Sequence, residues 1–415
     1  MDYIHCKDIF LLMRDTLKLI DRRPMHHGSR VAYFVYKMLE CKGGYEKYEL
    51  GDIVILTTLH DIGAYKTDNL DDILRYEVRE YQRHSIYGYL FFKHLSPLGN
   101  MAKVILHHHM DYKDLVNLDY EYKDIAAYIN IAEKMDIYHK ALGEKFDINL
   151  FRSQAGVRLS EEGLNLFYEA VEKYNILENA RSGEYKKDLD DIVNYMIFSN
   201  EDKKKYLEML MYCVGFRSEY MVVDTISSIC ISESLGIRMG LNEHEREVLY
   251  YGALLRDIGM LAVPGEIIEA PRNLTKEEAK VLHRHVPLAR LALENKLEQE
   301  ILDIILSHHE RGDGSGYPQG LKSKSMTLPQ QILQLADAIT VRTNKRTYRK
   351  PMAKEELVSF LMSEVERGRY DERAVAIFVE SYDDIMLNVH TKSEEILATY
   401  RKMNSQYEQA LKKMI

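Results

Sequence analysis

The feature that most constrains this chain is an internal repeat. Leu255-Arg256-Asp257-Ile258-Gly259 restates Leu59-His60-Asp61-Ile62-Gly63, 196 residues later. Ile304-Ile305-Leu306-Ser307-His308-His309 restates Val104-Ile105-Leu106-His107-His108-His109 at an offset of 200, and Leu335-Ala336-Asp337 restates Ile131-Ala132-Glu133 at 204. Arg284-His285 falls opposite Arg83-His84, and Tyr220 opposite His27. A recurrence at nearly constant offset means two copies of one structural unit in tandem. The 415 residues have room for both. The polar stretch Ser199 to Lys205 marks the expected boundary. The expected domains are 1–198 and 199–383, followed by a charge-rich amphipathic helical segment over 384–415.

Each copy reads as helical. Prolines number only eight, and apolar residues recur with a 3.6-residue period. In the segment Cys6 to Ile20, the residues Ile9, Leu12, Met13, Thr16, Leu17 and Ile20 share one face. Helix starts are signalled at Thr275-Lys-Glu-Glu278 and at Ser160-Glu-Glu-Gly163. Alternating strand patterns are scarce. Short hairpins are expected, if anywhere, near Ala262 to Ile268 or Gly316 to Leu328, where Gly and Pro cluster. The expected class is all-α: two homologous helical bundles plus a C-terminal helix.

Composition excludes some functions. A net charge of −9 argues against a nucleic-acid surface. Cys6, Cys41, Cys213 and Cys230 have no CxxC spacing and read as free thiols of a reducing compartment. Asp2, Lys7, Asp8 and Arg14 interrupt the apolar residues of the N-terminus, which is expected to be an amphipathic helix and not a signal peptide. No apolar run approaches the roughly 20 residues of a membrane span. A cytoplasmic location is expected, with neither a nucleic-acid nor a membrane partner.

The chemistry starts from His60-Asp61, directly after the apolar run Ile53 to Leu59. Neighbours on a helix point about 100° apart, so such a pair clasps one metal only between its own helix and others. The chain supplies candidates in His27, His84, His107-His108-His109 and Glu133. This order resembles the HD superfamily of metal-dependent phosphohydrolases, and the second half resembles its HD-GYP branch. The resemblance implies a ligand set of His27, His60, Asp61, His84, His108, His109 and Glu133. Asp61 would bridge two divalent ions, and iron or manganese are the metals that accept imidazole and carboxylate together. The family usually has Asp where this chain has Glu133, and Asp136 is a fallback ligand. Arg23 occupies the place of a glutamate that accompanies a third metal in some members, so two ions are expected. His107 aligns with Ser307 and is set aside. His26, His94 and His139 read as surface residues. Ala64 stands where the family has a phosphate-contacting Lys, leaving Lys66 and Arg30 as candidate substrate-contacting cations, Lys66 also in a catalytic role.

The second copy carries the long signature His308-His309-Glu310-Arg311-Gly312-Asp313-Gly314-Ser315-Gly316-Tyr317-Pro318, and Arg346-Thr347-Tyr348-Arg349 resembles the family's Arg-Pro-Tyr-Arg. Its metal set is broken. Tyr220 stands for the first histidine, Arg256 for the histidine of the pair, and Met260 for the usual Lys. A guanidinium beside carboxylates repels divalent metal, so Arg256 is expected to pair with Asp257 or Asp337. His285, His308 and His309 then read as relics in a polar network. The first copy has Met110-Asp111-Tyr112-Lys113 after its histidines and no Gly-Tyr-Pro loop.

The resemblance implies a metal-dependent phosphodiesterase acting on a cyclic dinucleotide of the cyclic di-GMP or cyclic GMP-AMP type, catalytic in the first domain, with the second regulatory or structural. The alternatives are another HD phosphohydrolase acting on a nucleotide, and a non-catalytic receptor for a nucleotide or protein. A homodimer or a signalling-protein partner is compatible with each.

Overall fold

The computed structural model describes residues 4–67, 82–196, 198–345 and 350–413, with the side chain of Cys6 outside that set; Arg346-Thr347-Tyr348-Arg349 also lies outside it. Among the described residues there are helices and no strands. The chain forms two compact units: residues 5–206 with 402–415, and residues 207–401 with 1–4.

In the first unit, α1 (Cys6–Leu17), α2 (Arg22–Lys42), α3 (Lys47–Thr58), α4 (Gln82–Leu95), α5 (Ala102–His107), α6 (Lys123–Leu142) and α7 (Glu161–Tyr174) carry the core. α2 packs against α3, α6 and α7. Gly28 permits the α2–α3 crossing, because a Cβ there would meet the Thr58 carbonyl oxygen at 2.2 Å. The C-terminal half of α3 is buried on all sides: Ile53, Val54, Ile55 and Leu56 are each at most 1% exposed, while Lys47 and Tyr48 at its start face solvent. A helix end buried all round has no solvent face, so it delivers the next residues of the chain into the interior. Those residues are His60 and Asp61.

In the second unit the corresponding helices are α8 (Glu219–Arg238), α9 (Glu243–Leu255), α10 (His285–Leu293), α11 (Gln299–Ser307) and α12 (Leu328–Thr343); residues 382–401 of α13 (Tyr382–Lys412) also belong to it, and residues 402–412 to the first. Capping boxes at Asn242/Glu245, Thr275/Glu278 and Thr327/Gln330 start their helices, as does the Ser160 hydroxyl that accepts from the Gly163 amide in the first unit. α8 has the length and mean hydropathy of a membrane span, contrary to expectation, but Met221, Val222, Ile231 and Leu235 are buried in its own unit.

Two expectations are corrected. Neither hairpin forms: residues 258–262 are a 3-10 turn, 265–268 a helical turn, and only an isolated bridge joins Asp313 to Lys322. The glycines there serve loop turns, with Gly314 and Gly320 at positive φ. The His60-Asp61 pair is also not on a helix. Leu59 caps α3, and residues 60–63 form the turn leading into the short helix Ala64–Thr67.

That turn is locked by Gly63, where a Cβ would lie 2.1 Å from the His84 carbonyl oxygen. At Gly259 a Cβ would lie 2.0 Å from the His285 carbonyl oxygen. The repeat is thus explained at one atom: in each unit the turn after the buried helix touches the backbone of the next ligand-bearing helix, and only glycine permits it.

Candidate metal centre

The structure brings all seven expected ligand positions of the first unit together. His27 comes from α2, His60 and Asp61 from the turn after α3, His84 from α4, His108 and His109 from the end of α5, and Glu133 from α6. All are buried except His109, which is half-buried. Their ligand atoms form two sets, His27–His60–Glu133 and Asp61–His84–His108–His109, with the atoms within each set at most 4.8 Å apart. Asp61 faces both. Its Oδ2 lies 3.3 Å from His60 Nε2, while its Oδ1 lies 3.4 Å from His84 Nε2 and 3.7 Å from His108 Nε2.

Outer groups fix which nitrogen points inward. His60 Nδ1 bonds the Thr57 carbonyl at 2.8 Å and His108 Nδ1 the Ile105 carbonyl at 2.6 Å, which leaves Nε2 of each aimed at the cluster. His27 Nδ1 bonds Asp136 at 2.7 Å. Asp136 is therefore a positioning carboxylate for His27. Arg30 donates to the same Asp136, so its guanidinium is committed behind His27. Burial raises the Asp136 carboxyl, but the bonds from Arg30 and His27 outweigh it and hold the group at about 2.

Six buried atoms of this cluster meet no hydrogen-bond partner: Nε2 of His27, His60 and His108, both carboxylate oxygens of Asp61, and Oε2 of Glu133. Leaving so many buried polar atoms unsatisfied is costly, and a cation among them removes the cost. Burial also keeps His84 neutral, with its value lowered to about 3, and pushes His109 well down. Asp61 is held ionised: burial raises it, and His60 first among its neighbours more than reverses this. The His84 and His109 imidazoles, held neutral beside the ionised Asp61, are donors that a divalent transition metal accepts; burial lowers His60, but Asp61 outweighs it and raises it to about 9, so a metal there would displace a proton. The remaining candidates stand apart. Lys66 is half-buried on Ala64–Thr67, and His107 turns to the Tyr120 hydroxyl at 3.1 Å.

The second unit resolves the same frame differently. Arg256 is 1% exposed and lies 3.1 Å from Asp257 and 3.2 Å from Asp337. Its remaining donors reach the Ala253 and Asp224 carbonyls. Among the described residues, no atom of Arg256, Asp257, His285, His308, His309 or Asp337 is a buried orphan. The guanidinium satisfies these carboxylates by hydrogen bonding, as a cation would satisfy the orphaned atoms of the other unit. His285, His308 and His309 still lie close enough for one ion. Tyr317 stacks on His283 at 4.2 Å and packs on His309 at 4.8 Å.

Sequence reasoning missed the cleft beside the first cluster. It encloses about 620 Å3, large enough for a dinucleotide-sized ligand, and His109 lies in its wall. Lys134, Arg158 and Lys413 are its described cations, with Asp111 and Asp114. Amides of Tyr112 and Lys113 bond the carbonyls of Arg158 and Val157, which ties the segment after His109 to the loop bearing Arg158. No local pattern announces this, because the lining residues are spread from 82 to 413.

The HD domain family model matches residues 209–374. An HD domain thus occupies residues 209–374 of this chain. Curated proteins are similar over more of the chain than this domain. A Vibrio cholerae protein named 3'3'-cGAMP-specific phosphodiesterase 1 is 26% identical over 91% of this chain and 92% of its own. A second from the same organism, 3'3'-cGAMP-specific phosphodiesterase 2, is 28% identical over 47% of this chain and 38% of its own. The solved structure of a V. cholerae cyclic GMP-AMP specific phosphodiesterase covers 91% of this chain at 15% identity and a TM-score of 0.56, a likeness of fold. The HD family model thus falls on the unit whose ligand set is broken.

Proposed function

We propose that this protein is a metal-dependent phosphodiesterase that hydrolyses a cyclic dinucleotide at the histidine–carboxylate cluster of its first unit. The observation that carries the reading is the set of six orphaned buried atoms converging from helices and a turn, beside a cleft of about 620 Å3. The name of the relative that matches nearly end to end supplies the substrate class, cyclic GMP-AMP or a similar ring.

In this reading His27, His60 and Glu133 would hold one divalent ion, iron or manganese, and His84, His108 and His109 would hold a second. Asp61 presents one oxygen to each side. Ions so held polarise a phosphate oxygen and lower the pKa of water, the standard contribution of paired metals to phosphodiester cleavage. The chain's own residues do the rest. Asp136 and Arg30 keep His27 in register, the Thr57 and Ile105 carbonyls fix His60 and His108, and the burial of α3 keeps bulk water from the inner face. The second unit has a structural or regulatory role, its ligand positions being satisfied by Arg256.

The test is turnover of a cyclic dinucleotide panel by protein loaded anaerobically with manganese or iron. Hydrolysis of at least one member is expected. Asp61→Ala should lose all of it while retaining its far-UV circular dichroism. A loaded wild type that binds a cyclic dinucleotide tightly and cleaves none would replace this reading with a receptor.

A further inference from the structure

We infer that Lys134 is the residue that takes the phosphate of the ligand in the first unit; the inference rests on the function proposed above and names a contact within the same site. Lys134 sits on α6 directly after Glu133, and its side chain lines the cleft that His109 also lines. The three described cations of that cleft differ in depth. Arg158 and Lys413 are exposed on the rim, and Arg158 is paired with Asp111 at 3.2 Å. Lys134 is 6% exposed, at the floor, and donates to Asn130 one turn back on the same helix. Asn130 in turn donates to the Met110 carbonyl, which fixes the amide oxygen toward the lysine.

Burial lowers the pKa of the Lys134 ammonium, and Glu133 and Asp111 partly offset this; a phosphate beside it would add a further compensating anion. The floor of this cleft is where a phosphate must lie to reach His109 and the cluster behind it. An ammonium oriented there by a fixed amide oxygen donates to phosphate oxygens, a charge-assisted contact of the strong class. Arg30 and Lys66 are not among the described residues lining this cleft. The rim cations meet the solvent side of the ligand and contribute to encounter more than to grip.

The test uses the full chain loaded with manganese, as wild type, Lys134→Met and Lys134→Arg. Each is titrated calorimetrically with a phosphorothioate analogue of cyclic GMP-AMP and with 5'-GMP. Metal content and thermal midpoint are measured alongside to separate folding from binding. Lys134→Met should bind at least about tenfold more weakly with unchanged metal content, and Lys134→Arg should recover most of the loss. The dependence of affinity on salt should flatten in the Met variant. A wild type that binds, with Lys134→Met binding equally well, overturns the inference alone. A wild type that binds neither ligand overturns it together with the function it rests on.

Discussion

Replacing Arg256 with methionine tests whether an internal ion pair has taken over the role of a cation in the second unit. The substitution roughly keeps volume and removes charge. The structure sets the cost. Arg256 is 1% exposed, its guanidinium lies 3.1 and 3.2 Å from two carboxylates that are each 10% exposed, and two carbonyls take its other donors. Methionine would leave Asp257 and Asp337 facing each other and the nearby histidines with no guanidinium between them. Removing one partner of a buried pair costs about 3–5 kcal/mol, chiefly the penalty of the charges left behind. For a unit of this size, at about 2–4 °C per kcal/mol, the midpoint should fall by about 6–20 °C. Scanning calorimetry of the full chain reads it as a shift of one unit's transition. Adding Asp337→Asn to Arg256→Met should recover part of the loss, because it removes one stranded charge. A single variant that costs less than about 1 kcal/mol, or a double variant that is worse, would refute the reasoning.

The contrast between the two clusters gives three further outcomes. His60→Ala should abolish metal uptake while His308→Ala leaves most of it, as read by elemental analysis; equal losses would contradict the assignment of the metal to the first unit. Tyr220→His combined with Arg256→His should give the second unit metal uptake, and a stoichiometry unchanged from wild type would show that more than those two residues was lost. Gly63→Ala should cost about 3 kcal/mol, the upper end for overpacking, since its Cβ would meet the His84 carbonyl at 2.1 Å and that obstacle is backbone. Its melting temperature checks the cost, and wild-type stability would mean that the turn has slack the geometry does not suggest.

Much of this was legible in the sequence, for a physical reason. The repeat survives at residues whose backbone or ligand role leaves little choice: Gly63 and Gly259 at the close approach, Asp61 and Asp257 at the turn, and the histidines at the ends of α5 and α11. The expected ion pair of Arg256 could be read because a buried charge has few ways to be satisfied. Other parts were hidden. The turn carrying His60-Asp61 looks helical because the run before it is. The role of Asp136 depends on His27 and Arg30, more than a hundred residues away in sequence and brought close by the packing of α2 on α6. Lys134 had no motif to mark it, and the cleft that gives it meaning is assembled from residues as far apart as Gln82 and Lys413.

Glu310 carries a last consequence. Its side chain is 1% exposed and accepts the amides of Gln319 at 2.7 Å and Leu321 at 2.9 Å, while its own carbonyl takes the side-chain amide of Gln334. The Gly-Tyr-Pro loop is therefore moored by a carboxylate inside its own signature, through bonds that do not depend on any cation in the neighbouring cluster. Selection on that loop and selection on the ligands can part company. The loop thus holds its shape whether or not an ion sits beside it, and its presence alone does not report a metal in the neighbouring cluster.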